Sequence, residues 1–156
     1  MQSYGGFWIR VLAYLIDWII LYFASSVLSG IVMGVGFASI NAGYTAVSTA
    51  MLGVAGISFV LNWLYFAILE SSSWQGTVGK QALKLVVTDE QGERISFGRA
   101  TGRYFAKFLS VLIFCIGFMM AGWTGRKRGL HDIVAGTLVY KANSPDLPRN
   151  SARVFE

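Results

Sequence analysis

Two long apolar runs dominate the first half of the chain. The first covers residues 8–35 and the second covers residues 46–69. A helix needs about 20 apolar residues to cross the hydrocarbon core of a bilayer, so each run is long enough to span a membrane. Small and polar residues over 38–45 predict a turn between the runs. The pattern therefore predicts two transmembrane helices.

A third apolar run lies within residues 104–125 and contains Gly117 and Gly122. Its flanks are basic: residues 71–107 and 126–153 each carry six Lys or Arg, whereas the turn between the first two runs carries none. The positive-inside rule places both flanks in the cytoplasm together with both termini. The third run must then enter and leave on one side, so we favour a re-entrant hairpin. The alternative is an ordinary third span with a mis-sided basic tail.

The polar regions predict a little β-structure. The stretch LKLVVT at 83–88 leads into an acidic turn with a glycine and then into ERISF, which predicts a β-hairpin. TLVYK at 137–141 is another candidate strand, and its pairing with LKLVVT requires both on one membrane face. Ser96 is a candidate helix cap. Residues 142–156 contain two prolines and no apolar pattern, so we predict a loosely ordered, flexible tail after a membrane domain at 1–141.

Composition supports a membrane protein, because 54% of residues are apolar and only 13% are charged, against roughly 25% charged in soluble domains. The net charge of +5 indicates loops against anionic lipid rather than nucleic-acid binding. A single Cys115 cannot form an internal disulfide, and a single His131 excludes a histidine-cluster metal site. We find no nucleotide, haem or metal motif, expect no cofactor and expect no enzyme activity. The predicted fold class is an all-α membrane protein with two transmembrane helices, a third apolar helix or re-entrant hairpin, and a small cytoplasmic β-hairpin region.

Basic residues outside the spans are interpreted as lipid contacts. Arg99, Arg103 and Lys107 recur every four residues and form a stripe on one helix face. Such a stripe is typical of an interfacial helix lying on phosphate headgroups. The predicted headgroup contacts are Lys80, Lys84, Arg99, Arg103, Lys107, Arg126, Lys127 and Arg128.

Two opposite charges stand inside the first span. Arg10 and Asp17 are seven residues apart, which places them on one helix face about 10 Å apart along the axis. Arg10 near the interface favours pairing with Asp132, which follows the basic RKRGLH stretch. Asp17 is deeper and must be paired, hydrated or protonated. Its predicted partners are Asn62, Tyr14 or the re-entrant segment.

The order of motifs resembles the RDD family of small membrane proteins over residues 4–141. The matching stretches are YGGFWIRVLAYLIDWIIL, WQGTVGK, LKLVVTDEQGERIS, Arg103 and RGLHDIVAGTLVY, although WQGTVGK is one residue shorter before its first glycine than the family pattern. The residues that give the family its name map to Arg10, Asp17 and Asp132. The resemblance implies transport of unknown ligands, sodium–proton antiport in some members and accessory or assembly roles in others.

Two hypotheses about function follow. In the first, the chain is a small cation/proton-coupled transporter of the bacterial inner membrane, with Asp17 and Asn62 at the ion or proton site and Arg10 and Asp132 in a supporting charge network. In the second, it is a non-transporting scaffold or assembly subunit. A chain this short is expected to work as a homo-oligomer or with a membrane partner.

Overall fold

The computed structural model describes residues 4–38, 44–112, 116–148, 151 and 154. These residues form a mostly helical protein with one small sheet. The elements in chain order are α1 (Phe7–Ala38), α2 (Tyr44–Ser71), α3 (Val78–Ala82), β1 (Leu85–Asp89), α4 (Phe97–Leu112), α5 (Ile116–Trp123), α6 (Leu130–Ala135) and β2 (Thr137–Lys141).

The two longest helices confirm the predicted spans. Apolar segments long enough to cross a membrane cover Phe7–Val35 and Ala46–Ser71. Large apolar side chains stand outward on both helices, Phe23 and Leu52 among them. Lipid stabilises such side chains, so the outer faces need no protein cover. Most of the predicted turn, residues 39–43, lies outside the described residues.

The third apolar run is broken into two helices. Helices α4 and α5 turn by 95° relative to each other. Gly117 permits this because its Cα packs against Ser110, where an added Cβ would lie 2.6 Å from the hydroxyl oxygen and 2.8 Å from the Ser110 Cβ. The chain enters α4 after β1 and leaves α5 toward β2. Because these two strands pair with each other, the bent pair starts and ends at the same side, as a re-entrant segment does.

The sheet joins two distant parts of the chain. β1 and β2 run antiparallel, with Val87 opposite Val139. Both faces are covered: Leu85, Val87 and Val139 pack toward the helices, while Val86 and its neighbours pack on the other side. Burial on both faces explains why the strands read as unbroken apolar runs rather than alternating ones. The pairing of LKLVVT with TLVYK is therefore confirmed.

The predicted hairpin partner of β1 is wrong. Residues 93–96 form no strand; Ile95 is instead buried in the core, and Ser96 accepts a hydrogen bond from the Arg99 N–H at 3.3 Å as the predicted cap of α4. The edge that the hairpin would have used is occupied at Val87, whose N–H donates to the Gln75 carbonyl at 2.7 Å.

The tail packs against the rest of the protein where the structure describes it. Leu147 is buried beside Val86 and Tyr140. The Ser151 hydroxyl, also buried, donates to the Gly92 carbonyl oxygen at 2.9 Å. The loose packing predicted for 142–156 therefore does not describe these residues.

Candidate functional site: an ion cluster beside a cavity

Six charged side chains from five helices meet where α1 begins and α2 ends. We call this group the ion cluster; it consists of Arg10 on α1, Glu70 on α2, Lys80 on α3, Arg103 and Lys107 on α4, and Asp132 on α6. Both carboxylates in it are buried almost completely. Buried charges are tolerated only when they are paired and hydrogen-bonded. The pairing of these groups therefore decides how the five helices sit together.

Arg103 bridges the two carboxylates of the ion cluster. Its Nη1 donates to Glu70 Oε2 at 3.1 Å, and its Nη2 donates to Asp132 Oδ1 at 2.7 Å. Only 1% of Arg103 is exposed. The planar guanidinium suits this role because it presents several donors in a rigid fork. One side chain thus ties α2, α4 and α6 together.

Arg10 and Asp132 form the pair that the sequence predicts. Arg10 Nη1 donates to Asp132 Oδ2, and the Arg10 Nε donates to the Gly5 carbonyl at 2.7 Å. Asp132 also accepts the Gly129 N–H at 3.1 Å, so it caps α6. Burial alone would raise the pKa of Asp132, but the guanidiniums of Arg10 and Arg103 outweigh it and hold the pKa well below its usual range.

Lys80 and Lys107 also turn toward Glu70. Lys80 Nζ donates to Glu70 Oε1 at 2.5 Å, and Lys107 Nζ lies 4.0 Å from the same oxygen. The Lys107 ammonium also sits over the Phe66 ring, 4.0 Å from its centroid, as a cation–π contact. Burial, with the Arg103 charge adding to it, lowers the pKa of Lys80 to about 7.

Lys80, Arg103 and Lys107, which the sequence assigns to headgroups on an outer face, turn inward and pair with the buried Glu70 carboxylate; lipid contact at these residues stays a prediction. The stripe on α4 faces inward because Glu70 and Asp132 give its buried members oppositely charged partners. Arg99 differs from the other two stripe members: it is half-exposed and pairs with Asp89 at 3.2 Å. For Lys84, Arg99, Arg126, Lys127 and Arg128, headgroup contact stays a prediction.

Asp17 lies next to the ion cluster and has its own set of donors. Its Oδ1 accepts the Tyr65 hydroxyl at 2.8 Å and the Gly79 N–H at 2.7 Å, while its Oδ2 accepts the Thr77 hydroxyl. Only 1% of Asp17 is exposed. The donors come from α2 and from the WQGTVGK stretch, so Asp17 joins three parts of the chain. A buried carboxylate is sustained by such bonds.

Among the residues that the structure describes, none of the predicted partners of Asp17 makes a hydrogen bond to it. The Asn62 amide oxygen accepts the Tyr104 hydroxyl at 3.3 Å, which makes Asn62 a link between α2 and α4 rather than part of an Asp17 ion site. Tyr14 stacks on Phe66 with ring centroids 6.0 Å apart. Tyr65, the partner on α2, lies about one turn beyond Asn62.

A cavity of about 380 Å³ opens beside the ion cluster and Asp17. Helices α1, α2, α4 and α5 surround it. Its lining combines charged groups of the ion cluster with apolar side chains such as Leu15, Val111 and Met119. The cavity brings Asp17 and the lysines to one space, and its volume is in the range of small-molecule sites.

Tyr65, Glu70 and Thr77 are site residues that sequence reasoning missed. Glu70 reads as the end of a span, and Thr77 reads as part of a polar loop. One signal points to Glu70: it is the one acidic residue between Asp17 and Asp89. A basic stripe one helix away needs an anion if it is to be buried.

Two apolar spans, a bent pair of apolar helices and an ion cluster at one end define a small integral membrane protein. Of the three residues that the sequence resemblance singles out, Arg10 and Asp132 belong to the ion cluster and Asp17 lies beside it. The RDD family model matches residues 4–136, and the chain belongs to the RDD family.

Several bacterial proteins are similar to this chain. "Uncharacterized protein YxaI" of Bacillus subtilis is 43% identical over 152 residues, covering 90% of this chain and all of that protein. "Uncharacterized membrane protein YteJ" of the same bacterium is 24% identical, covering 88% of this chain and 81% of that protein. "Proline-rich antigen" of Mycobacterium leprae is 29% identical, covering 58% of this chain and 40% of that protein. No solved structure matches the chain.

Proposed function

We propose that this membrane protein exchanges a monovalent cation for a proton at Asp17. One observation carries the proposal: the buried Asp17 residue borders the cavity, and its carboxylate accepts hydrogen bonds from the hydroxyl groups of Tyr65 and Thr77. Carboxylate and hydroxyl oxygens are the ligands that hard cations prefer. An ionisable residue inside a membrane span is costly to bury, and its presence there therefore makes it a candidate functional residue.

The exchange needs no group beyond these oxygens and the Gly79 N–H. A proton on Asp17 makes the site neutral and leaves no charge for a cation to balance. Loss of that proton creates the carboxylate that binds one cation, with hydroxyl lone pairs from Tyr65 and Thr77 turned toward it. One cation therefore replaces one proton, and the charge of the site stays constant.

The test is exchange by the purified protein in proteoliposomes under an imposed pH gradient. We expect Asp17→Asn to abolish cation-driven proton release, because an amide cannot bind the proton or balance the cation. Folding of the variant is checked by circular dichroism and by its elution in detergent. Full exchange in a folded Asp17→Asn protein would overturn the proposal.

A matched pair at Thr77 separates cation binding from folding. Thr77→Val removes one oxygen at nearly constant shape, and we expect it to raise the cation concentration for half-maximal rate about ten-fold, the size of one hydrogen-bond-scale contact. Thr77→Ser keeps the hydroxyl and is expected to behave like the wild type.

The second candidate is a non-transporting scaffold or assembly subunit. It is favoured by the three donors that already satisfy Asp17, since these bonds hold α2 and α3 against α1 without any bound ion. In that case the purified wild type moves no cation, and Asp17→Asn lowers stability alone. A fixed partner that co-purifies from native membranes, or a defined homo-oligomer in detergent, would support this role.

Under both candidates, the end of the protein that carries the ion cluster faces the cytoplasm of a bacterial cell, as do both termini. The positive-inside rule supports this orientation, because the two basic regions flank the re-entrant pair.

A further inference from the structure

The cavity beside the ion cluster has a charged half and an apolar half. On α1 the cation Arg10 is followed about one turn later by Leu15, and on α4 Lys107 is followed one turn later by Val111. Helix α5 adds Phe118 and Met119 to the apolar half. A ligand that fits both halves is an amphiphile, with a polar group at one end and a hydrocarbon chain at the other.

The charged half has more cations than carboxylates. Arg10, Lys80, Arg103 and Lys107 line this half together with Asp17, and the carboxylates of Glu70 and Asp132 pair with these cations from outside the lining. With Lys80 protonated, these seven groups carry four positive and three negative charges, so one positive charge is left over. An uncompensated charge inside a protein is costly. A single negative charge in the cavity would complete the balance.

Two donors in the charged half make no hydrogen bond within the part of the chain that the structure describes. Lys107 Nζ makes no hydrogen bond there; its nearest carboxylate oxygen, on Glu70, is 4.0 Å away. Arg103 Nε is buried and has no acceptor there; only 1% of Arg103 is exposed. Buried donors are nearly always satisfied, by protein, water or ligand. Both side chains line the cavity.

We propose that the cavity is a binding site for one anionic phospholipid, with its phosphodiester group at Lys107 and Arg103 and an acyl chain along Leu15, Val111 and Met119. A phosphodiester carries one negative charge, which would balance the surplus positive charge. Its oxygens would accept hydrogen bonds from Lys107 Nζ and Arg103 Nε. This inference goes beyond cation exchange at Asp17 and does not depend on it.

The bilayer, rather than the aqueous phase, is the source that the apolar half indicates. Leu15 is 48% exposed, Val111 is 55% exposed and Met119 is 41% exposed, although each lines the cavity. These side chains therefore belong to the outer surface that lipid covers, and the apolar half is continuous with it. A soluble phosphate would satisfy the donors but leave this half of the cavity unfilled.

The test compares lipids retained by the full-length protein after purification. The protein is incorporated into nanodiscs that contain phosphatidylglycerol and phosphatidylcholine with the same acyl chains, and tightly bound lipid is counted by native mass spectrometry after gentle release. We expect one phosphatidylglycerol per chain, preferred about ten-fold over phosphatidylcholine, as one charge-assisted contact allows. Inorganic phosphate in excess should not displace it.

Three variants locate the site. Lys107→Met should abolish the preference, and Lys107→Arg should keep it. Arg94→Met removes the same charge from an exposed position outside the cavity that is not among the predicted headgroup contacts, so it should leave the preference unchanged. Val111→Trp fills the apolar half from its exposed side and should lower retention even if Lys107→Met fails to fold.

Three results would overturn the lipid site. Equal retention of the two lipids by the wild type is one. Equal loss with Lys107→Met and Arg94→Met is the second, because it indicates attraction to the surface charge alone. Displacement of the lipid by inorganic phosphate is the third, because it assigns the donors to a soluble anion. Cation exchange at Asp17 is measured separately, so its failure leaves these outcomes distinct.

Discussion

At the scale of single residues, the feature that stands out is a guanidinium shared by two buried acids. Arg103 contacts Glu70 on α2 and Asp132 on α6, two residues that are far apart in the sequence. Replacing a whole buried ion pair with apolar groups is often harmless, but removing one partner leaves a buried charge without compensation. Arg103 is therefore the residue at which a single change harms two acids at once.

Arg103→Leu is expected to lower the free energy of unfolding by roughly 3–5 kcal/mol, the cost of breaking a buried ion pair. The measurement is denaturant unfolding in detergent, followed by tryptophan fluorescence. Arg99→Leu is the matched control on the same helix: Arg99 is half-exposed in its pair with Asp89, and such pairs are worth less than about 1 kcal/mol. Equal losses for the two variants would mean that Arg103 does not carry the ion cluster.

At the scale of elements, a five-residue helix fixes the position of Asp17. Helix α3 lies against α1 so closely that a Cβ on Gly79 would stand 2.1 Å from the Ala13 carbonyl oxygen. Because Gly79 has no side chain, its N–H reaches Asp17, while Thr77 at the N-cap reaches the other carboxylate oxygen. Gly79, the second glycine of WQGTVGK, thus serves close packing rather than a phosphate-binding loop.

Gly79→Ala is expected to destabilise the protein by about 1–3 kcal/mol or more, because the new methyl group forces α3 away from α1. It should also reduce cation exchange if Asp17 binds the cation, since two of its donors move with α3. Thermal unfolding in detergent gives the first quantity.

Gly102→Ala is the control for this change. Nothing lies within 4 Å of its added Cβ on α4, so we expect no loss of stability and a gain of up to about 1 kcal/mol from helix propensity. A Gly79→Ala protein as stable as the wild type would contradict the close approach of α3 to α1.

At the scale of the whole molecule, the two-stranded sheet sets the path of the chain. Val87 pairs with Val139 across the sequence of α4, α5 and α6. The residues between the strands must therefore leave the sheet and return to it. With a 95° turn between α4 and α5, we predict that this path is re-entrant and that the bent pair is not a third crossing.

Accessibility of single cysteines tests this topology. In a Cys115→Ser background, we expect cysteines placed at Glu90 and Asn143 to react with a membrane-impermeant reagent from the same side, because each lies next to a strand of the sheet. A cysteine at Asn41, in the predicted turn, should react from the opposite side. Opposite labelling of positions 90 and 143 would mean that α4 and α5 cross the membrane.

The sequence by itself determined the spans, the membrane setting and the family. Long apolar runs have this power because a bilayer requires about 20 apolar residues of helix, whatever the rest of the chain does. The charge pattern also predicted that Arg10 and Asp132 meet, and the apolar strands that LKLVVT pairs with TLVYK. In each of these cases a local pattern and one simple constraint from the membrane were sufficient.

Only the tertiary structure decided which way the basic stripe on α4 faces and what holds Asp17. A four-residue spacing is the same for a helix on headgroups and for a helix on buried acids, so Arg103 could not be assigned without the position of Glu70. The donors to Asp17 are Tyr65 on α2 and Thr77 and Gly79 at α3. The residues near Asp17 in the sequence do not predict them. Whether a basic side chain is buried against a carboxylate or exposed to headgroups depends on how the whole chain packs.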